Sequence, residues 1–126
     1  MTIVVVAAVI EREGRFLLTR RPDGTDMAGL WEFPGGKIHP EESHAKALRR
    51  EMLEELDVEV IVGEQVYEVM FDYVERTVDL HFYRCALVGS PRPLLGQEMA
   101  WVERETLASL PFPDADRELI ALLTAR

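Results

Sequence analysis

Cysteine is almost absent from this sequence, and long apolar runs are missing. The single cysteine, Cys85, excludes an internal disulfide or a site of several thiolates, which is typical of a reducing compartment. Its alternating surroundings favour a small buried side chain over a nucleophile. No apolar run approaches the ~20 residues of a membrane-spanning helix, and the longest, Ile3–Ile10, has no basic leader. We therefore expect a buried strand there and a cytoplasmic protein without a membrane partner.

Positive charge is also scarce. The chain has 14 Lys and Arg against 23 Asp and Glu, a formal net charge of −9. A sequence-independent surface for DNA or RNA needs clustered basic residues, so this balance argues against a nucleic-acid polymer as partner. With 126 residues, 48% of them hydrophobic, the chain has the length and composition of one globular domain. We expect a single domain over residues 1–126, as a monomer or homodimer.

The order of predicted elements favours an α/β fold rather than a regular strand–helix alternation. A strand from Ile3 to Arg12 turns at Glu13-Gly14 into a second strand, Arg15–Arg20. The spacing of apolar residues predicts a helix over Ser43–Leu56, with Ser43 as N-cap. The remaining predicted elements are the strands Val58–Val62, Gln65–Tyr73, Val78–Val88 and Met99–Val102, a helical turn at Glu105–Leu110 and a closing helix from Asp114 or Asp116 to Leu123.

Three acids in the predicted helix carry the chemical signal. Glu51, Glu54 and Glu55 lie at i, i+3 and i+4, so their carboxylates project from one face, beside the apolar stripe. They repel one another, and those near the helix C-terminus also face the negative end of the dipole. The arrangement is either a solvated acidic face or a site for a divalent cation, which would reverse the sign of each of these terms.

A glycine pair just upstream favours the cation site. Gly35-Gly36 lets the backbone approach a ligand where a Cβ would interfere. Carboxylate and carbonyl oxygens are hard ligands that suit Mg²⁺ or Mn²⁺ rather than zinc. Mg²⁺ commonly completes its coordination with water and substrate phosphates. An acidic protein with such a site could bind a polyphosphate through the metal.

The residues around these acids form a recognisable motif. The chain reads Gly36, five residues, Glu42, seven residues, then Arg50-Glu51-Met52-Leu53-Glu54-Glu55-Leu56-Asp57-Val58. This resembles the Nudix box at every specified position except Asp57, where the family has glycine. The preceding Trp31–Ile38 segment resembles the MutT branch. The resemblance implies a Nudix fold, in which a mixed β-sheet is sandwiched between helices, and hydrolysis of a nucleoside diphosphate linked to another group.

The resemblance also assigns roles to the box residues. Glu51, Glu54 and Glu55 would hold Mg²⁺, or Mn²⁺ in its place, together with the Gly35 carbonyl. Arg50 would brace the acidic cluster, and Glu42 would anchor the loop to the helix. We expect Glu51 or Glu54 to act as general base. In the MutT branch a loop glutamate before Gly-Gln approaches the metals, but this chain has Leu95 there, and Glu98 follows Gly96-Gln97; Glu98 either substitutes or is merely exposed.

The resemblance also implies which residues contact the substrate. Arg21 matches a phosphate-contacting arginine of the MutT branch, or else is an ordinary surface arginine. Glu32, Phe33 and Pro34 belong to the branch-like segment and are expected at the substrate, although Phe33 could equally be core. Asp116 lies where the branch has an asparagine that reads 8-oxoguanine, and some CTP-hydrolysing relatives carry aspartate there. An ionised carboxylate only accepts hydrogen bonds, which favours an edge rich in donors, such as the cytosine amino group. Asp116 is alternatively the N-cap of the last helix.

These observations predict a Mg²⁺-dependent nucleoside triphosphate pyrophosphohydrolase. Its substrate would be 8-oxo-dGTP or a (d)CTP-type pyrimidine triphosphate, with ADP-ribose or dinucleoside polyphosphates less favoured in so short a chain. The alternative is a catalytically idle Nudix-fold domain that binds nucleotide as a sensor or interaction module. Such a domain would be expected to lose box glutamates, and this chain keeps them.

Overall fold

The computed structural model describes residues 1–125. Its strands are β1 (Thr2–Val9), β2 (Glu11–Arg12), β3 (Arg15–Arg20), β4 (Trp31–Glu32), β5 (Gly35–Lys37), β6 (Glu59–Asp72), β7 (Thr77–Val88) and β8 (Glu98–Glu103). The α-helices are α1 (His44–Leu56) and α2 (Arg117–Thr124), and short 3₁₀ helices cover Arg104–Ser109 and Asp114–Asp116. Within residues 1–125, none of the helices is long and apolar enough to cross a membrane.

A mixed four-stranded sheet lies between the two α-helices. Its strand order is β5-β1-β7-β6, with β1 parallel to β7 and the other pairs antiparallel. Alternate side chains of β1 serve opposite faces: Val6 and Ala8 pack in one buried cluster with Leu48 of α1, and Ala7 and Val9 pack in the other, which includes apolar residues of α2. The predicted α/β class, with a mixed sheet between helices, is confirmed.

A second, antiparallel sheet forms where the sequence predicts only the continuation of one hairpin. Strand β3 pairs with β2, β4 and β8. The prediction of one strand from Ile3 to Arg12 is therefore wrong, because the chain leaves the first sheet after Val9 and enters the second at Glu11. Ile10 at the crossing is only 2% exposed, and its carbonyl accepts a hydrogen bond from the Leu17 amide at 3.0 Å. The apolar pattern continues through this crossing, so it gives no sign of the break.

Strand β6 unites two segments that the sequence separates. The predicted strands Val58–Val62 and Gln65–Tyr73 are one strand, whose register with β7 shifts between Val62 and Gln65 and again before Tyr67. A Cβ on Gly63 would lie 2.9 Å from the carbonyl oxygen of Arg84. The glycine therefore permits a close approach inside an irregular strand, rather than ending it.

Helix α1 forms as its sequence predicts. Ser43 is extended, and its hydroxyl accepts a hydrogen bond from the Lys46 amide at 3.1 Å, as an N-cap should. At the other end Asp57 has a positive φ of 51° and donates its amide to Leu53. Asp57 thus adopts the left-handed conformation that glycine adopts most easily at this position. The three carboxylates that the sequence predicts on this helix consequently lie in its last two turns.

Candidate active site

Arg50 gathers the box acids at the junction of β5 and α1. Its Nε and Nη2 donate to the two carboxylate oxygens of Glu42 at 2.8 and 2.9 Å. Its Nη1 donates to Glu51 at 2.9 Å and to Glu54 at 3.2 Å, and Nη2 also donates to the Lys37 carbonyl at 3.0 Å. Hydrogen bonds from Arg50 lower the pKa of Glu42 to about 2. One guanidinium therefore connects the glycine loop with the acidic face of the helix, the bracing that the family resemblance implies.

Glu55 lies on the inner side of this cluster. Among the described residues, its Oε2 is the one buried side-chain oxygen without a hydrogen-bond partner. Burial, and then the negative charge of Glu51, raise the pKa of Glu55 to about 9. A buried carboxylate oxygen without a partner is costly, and a cation beside it would remove that cost. Glu55 is thus the clearest point of attachment for a metal ion.

The two glycines allow the β5 backbone to lie close to both the sheet and the helix. A Cβ on Gly36 would lie 2.5 Å from Oε2 and from Cδ of Glu51. A Cβ on Gly35 would collide with the carbonyl of Val6 on β1, to which β5 is paired. Any side chain at either position would displace the strand or the carboxylate, so the acidic cluster depends on glycine here.

The donor set fits a hard divalent cation. It combines the Glu51, Glu54 and Glu55 carboxylates with the neighbouring backbone of Gly35, all of them oxygen donors. Glu51 and Glu54 are bonded to Arg50, and over residues 1–125 no three acidic, histidine or cysteine side chains are already arranged to hold a metal. The unpaired Oε2 of Glu55 and the close packing of the Glu51 carboxylate against Gly36 are the features that support the fit.

A cavity of about 430 Å³ opens beside these residues, between the first sheet and the loops. One wall is apolar and comes from β1 and β7, and the other carries charged groups. The predicted site residues that line it are Arg21, Glu32, Phe33, Gly35, Glu55 and Asp116. Pro34 does not line it; this residue is buried, and its carbonyl accepts a hydrogen bond from the Ala8 amide at 2.8 Å.

Arg21 and Glu32 form an ion pair at the edge of the cavity. Nη1 of Arg21 lies 3.2 Å from Oε2 of Glu32, and its Nε donates to the Asp26 carbonyl at 2.5 Å. Burial raises the pKa of Glu32, and the Arg21 charge opposes this only in part. Arg21 is therefore a fixed positive group at the cavity, not a freely solvated surface arginine.

Asp116 is a buried acid that faces the cavity. The residue is 4% exposed. Burial and then the charge of Glu32 raise the pKa of its carboxyl to about 7. Asp116 is the N-cap residue of α2, as the alternative predicts, but its side chain makes no capping hydrogen bond. The carboxyl is available to a ligand in the cavity.

Phe33 belongs to both the core and the cavity wall. Its ring stacks on Phe112 with centroids 5.8 Å apart and meets the edge of Phe82 at 5.9 Å. It is 4% exposed, yet it lines the cavity. Phe33 is therefore both a core residue and part of the cavity wall, because the aromatic core forms the floor of the cavity here.

Glu98 lies apart from the carboxylate cluster. Its side chain is exposed and forms an ion pair with Arg20 at 3.2 Å. It lines neither this cavity nor a smaller neighbouring one. Of the two alternatives for Glu98, the structure favours the exposed side chain over the substitute for a metal-approaching glutamate.

Four residues that the sequence did not predict as part of the site also line the cavity. Asp26, Lys37, Tyr73 and Arg76 all line it. Nη2 of Arg76 lies 2.6 Å from Oδ2 of Asp26, which joins the loop before β4 to the β6–β7 hairpin. The Tyr73 hydroxyl accepts a hydrogen bond from the Ala115 amide at 3.1 Å. Of these four, Lys37 lies in the segment that resembles the MutT branch, and Arg76 lies in the predicted turn at residues 74–77.

Comparison with known proteins identifies the family. The model of the NUDIX domain matches residues 5–122. The chain is 40% identical to a protein of Escherichia coli (strain K12) named CTP pyrophosphohydrolase, over 98% of this chain and 92% of that protein. It is 37% identical to an 8-oxo-dGTP diphosphatase of Haemophilus influenzae, over 94% of this chain and 88% of the relative.

Solved structures agree with this assignment. The solution structure of the E. coli ORF135 protein has a TM-score of 0.83 at 42% identity and covers 98% of this chain and 87% of its own. The crystal structure of a MutT protein from Methanosarcina mazei Go1 has a TM-score of 0.86 at 29% identity, over 97% and 92% of the two chains. The family match, the named relatives and the shared fold confirm both the resemblance and the enzyme class: this chain belongs to the Nudix family, as a hydrolase of phosphoric anhydride bonds.

Proposed function

We propose that this protein is a Mg²⁺-dependent nucleoside triphosphate pyrophosphohydrolase that acts on 8-oxo-dGTP or on a (d)CTP-type pyrimidine triphosphate. The observation that carries the proposal is the buried Oε2 of Glu55, which has no hydrogen-bond partner among the described residues. Glu55 lines a cavity that Arg21 and Asp116 also line. The names of the relatives, CTP pyrophosphohydrolase and 8-oxo-dGTP diphosphatase, support these two substrate classes.

The proposed metal ligands are the carboxylates of Glu51, Glu54 and Glu55 and the carbonyl of Gly35. Nudix hydrolases generally use a divalent metal, and hard oxygen donors favour Mg²⁺, with Mn²⁺ as a substitute. When bound, such an ion neutralises phosphate charge and assists the attacking water. Arg50 keeps the carboxylates of Glu51 and Glu54 close together, so the chain itself supplies their orientation.

The reaction balances as one hydrolysis. Following the MutT branch, the oxygen of a water molecule bonds to the β-phosphorus while the bond from that phosphorus to the α–β bridging oxygen breaks. The bridging oxygen leaves with the nucleoside monophosphate, and the other product is pyrophosphate. Glu51 or Glu54 accepts the proton of the water. Phosphoryl-group chemistry depends mainly on positioning and charge neutralisation, which these acidic and basic residues provide.

Asp116 is the proposed reader of the base, with Glu32 and Phe33 beside it. Because the pKa of Asp116 is about 7, its carboxyl exists in both forms near neutral pH. The ionised form accepts hydrogen bonds only, whereas the neutral form donates one and accepts another, as an asparagine amide does. The cytosine amino group suits the accepting form. The donor and acceptor pattern of the neutral form makes 8-oxoguanine a second candidate.

The wider proposals follow from the sequence. Residues 1–126 form one domain, a monomer or homodimer in the cytoplasm, and its partner is a small nucleotide rather than a nucleic-acid polymer or a membrane. The negative net charge supports the exclusion of nucleic acid.

Turnover on a nucleotide panel tests the function. The purified protein is assayed on 8-oxo-dGTP, dCTP, a 5-substituted dCTP, dGTP and ADP-ribose, with Mg²⁺ and with EDTA. We expect pyrophosphate release from 8-oxo-dGTP or a dCTP-type substrate, abolished by EDTA. Release of no pyrophosphate from any triphosphate, or turnover that EDTA leaves unchanged, contradicts the proposal.

A further inference from the structure

The loop between β7 and β8, residues 89–97, packs against the C-terminal end of α1. The Arg92 amide donates to the Leu56 carbonyl at 2.9 Å, and the Leu94 amide donates to the Glu55 carbonyl, also at 2.9 Å. The last four carbonyls of a helix have no partner within the helix, and α1 has no basic residue in its last turn. The loop therefore supplies hydrogen-bond donors at the turn of α1 that carries Glu55.

Gln97 is the one buried residue of this loop, with 8% of its surface exposed. Its Oε1 accepts a hydrogen bond from the Leu95 amide at 2.8 Å, and its Nε2 donates to the Glu55 carbonyl at 3.2 Å. Gly96, between the two loop residues, has a φ of 74°, which glycine adopts without strain. A backbone amide only donates and a carbonyl only accepts, so both ends of the Gln97 amide have a matching partner.

Glu55 is held differently from the other two acids of the proposed metal site. Arg50 donates to the carboxylates of Glu51 and Glu54 and fixes them directly. Oε2 of Glu55, in contrast, has no hydrogen-bond partner among residues 1–125. The backbone carbonyl of Glu55 accepts two hydrogen bonds from the loop. The chain therefore orients Glu55 through its backbone, and it orients Glu51 and Glu54 through their side chains.

We infer that Gln97 is a positioning residue for the metal site, because its amide fixes the backbone of Glu55 and with it the carboxylate proposed as a ligand. This inference rests on the proposed function and deepens it. Groups that orient a metal ligand from outside the coordination shell commonly determine the affinity for the metal. The loop has Leu95 where the MutT branch has a metal-approaching glutamate, so its contribution to the site passes through Glu55.

The chain offers two matched controls for Gln97→Met, a variant of similar length that loses both amide hydrogen bonds. Arg92→Met removes another contact between the same loop and the end of α1, the ion pair of Arg92 Nε with Asp57 Oδ2 at 2.8 Å. Ser43→Ala removes the cap at the opposite end of α1 and reports how a less stable helix affects the site. Gln97→Asn keeps the amide but is one methylene shorter, so it cannot span both partners.

The test measures Mn²⁺ binding by electron paramagnetic resonance and amide hydrogen exchange in the protein without metal. We expect Gln97→Met to weaken Mn²⁺ binding about tenfold and the Leu95 amide to lose its protection from exchange. The Mg²⁺ concentration for half-maximal turnover should rise by the same factor, whereas KM for the nucleotide at saturating Mg²⁺ should stay unchanged. Gln97→Asn should be intermediate, and Arg92→Met and Ser43→Ala should bind Mn²⁺ as the wild type does.

The outcomes separate this inference from the proposed function. An unchanged Mn²⁺ affinity in folded Gln97→Met overturns the positioning role and leaves the function standing; if that variant does not fold, Gln97→Asn is judged by the same criterion. An equal loss in Arg92→Met or Ser43→Ala also overturns the role, because the effect is then a general loosening of α1. If Gln97→Met loses Mn²⁺ but the wild type releases pyrophosphate from no triphosphate, the proposed function fails and the positioning role stands.

Discussion

Replacing Asp116 by asparagine tests whether burial of the Asp116 charge in the cavity destabilises the folded protein. The residue is 4% exposed. Its carboxyl makes no capping bond to α2, and burial raises its pKa to about 7 from an ordinary value of 3.8. Asparagine has nearly the same shape and carries no charge. The substitution therefore removes the cost of burying a charge while it leaves the packing almost unchanged.

The expected effect depends on pH. Below pH 3.8 the carboxyl is neutral in both folded and unfolded chains. Between 3.8 and 7 the folded chain retains a proton that the unfolded chain has lost, so the stability of the wild type falls as the pH rises; above 7 the loss is complete. The wild type loses stability over the roughly three pH units between 3.8 and 7, and two of those units lie between pH 5 and pH 7. At 1.36 kcal/mol per unit, the stability advantage of Asp116→Asn should grow by about 2–3 kcal/mol from pH 5 to pH 8.

Thermal unfolding of both proteins across that range measures the effect. The difference in Tm should widen by on the order of 10 °C between pH 5 and pH 8, in favour of the variant, without added metal. Any pH-independent cost of the asparagine amide is the same at both ends and cancels. A Tm difference that stays constant with pH contradicts the burial of the Asp116 charge. In turnover assays at neutral pH, we expect Asp116→Asn to shift preference from cytosine towards 8-oxoguanine; identical rankings would show that Asp116 does not read the base.

Further predictions concern the glycine loop, the helix cap and the bracing arginine. Gly36→Ala should weaken Mn²⁺ binding and turnover at least tenfold, since its Cβ would lie 2.5 Å from the Glu51 carboxylate; unchanged Mn²⁺ affinity in a titration contradicts this. Ser43→Ala should lower the free energy of unfolding in urea by about 1 kcal/mol, because the bond to the Lys46 amide is lost. Arg50→Met should lower both Tm and kcat, because Glu42, Glu51 and Glu54 lose their shared cation; a variant with wild-type kcat would refute the bracing role.

Local sequence features were enough to predict helix α1 and the face that carries its acids. The period of apolar residues, the Ser43 cap and the spacing of Glu51, Glu54 and Glu55 all depend on interactions within a few residues. The structure has the helix one residue after Ser43, ending at Leu56 as expected. The family resemblance added the fold, which the sheet order and the comparisons bear out.

Features that depend on distant contacts were not predictable. The break at Ile10 separates two sheets that the apolar pattern does not distinguish, and Gly63 permits a bulge where a glycine usually suggests a turn. Asp26 and Arg76 meet across 50 residues of sequence. The pKa of Asp116 is raised mainly by burial, which depends on residues far away in the sequence. From the sequence alone, Asp116 was therefore expected to be ionised and to accept hydrogen bonds only.

The claim that the carboxylates of α1 hold a catalytic divalent cation is tested most directly by Mn²⁺ titration of the wild type and of the Glu54→Gln, Glu55→Gln double variant. Circular dichroism on the same samples reports whether each protein is folded. We expect the double variant to fold, to lose Mn²⁺ binding by at least an order of magnitude and to release no pyrophosphate from the substrates of the wild type. A folded double variant that binds Mn²⁺ and turns over as the wild type does would contradict the account.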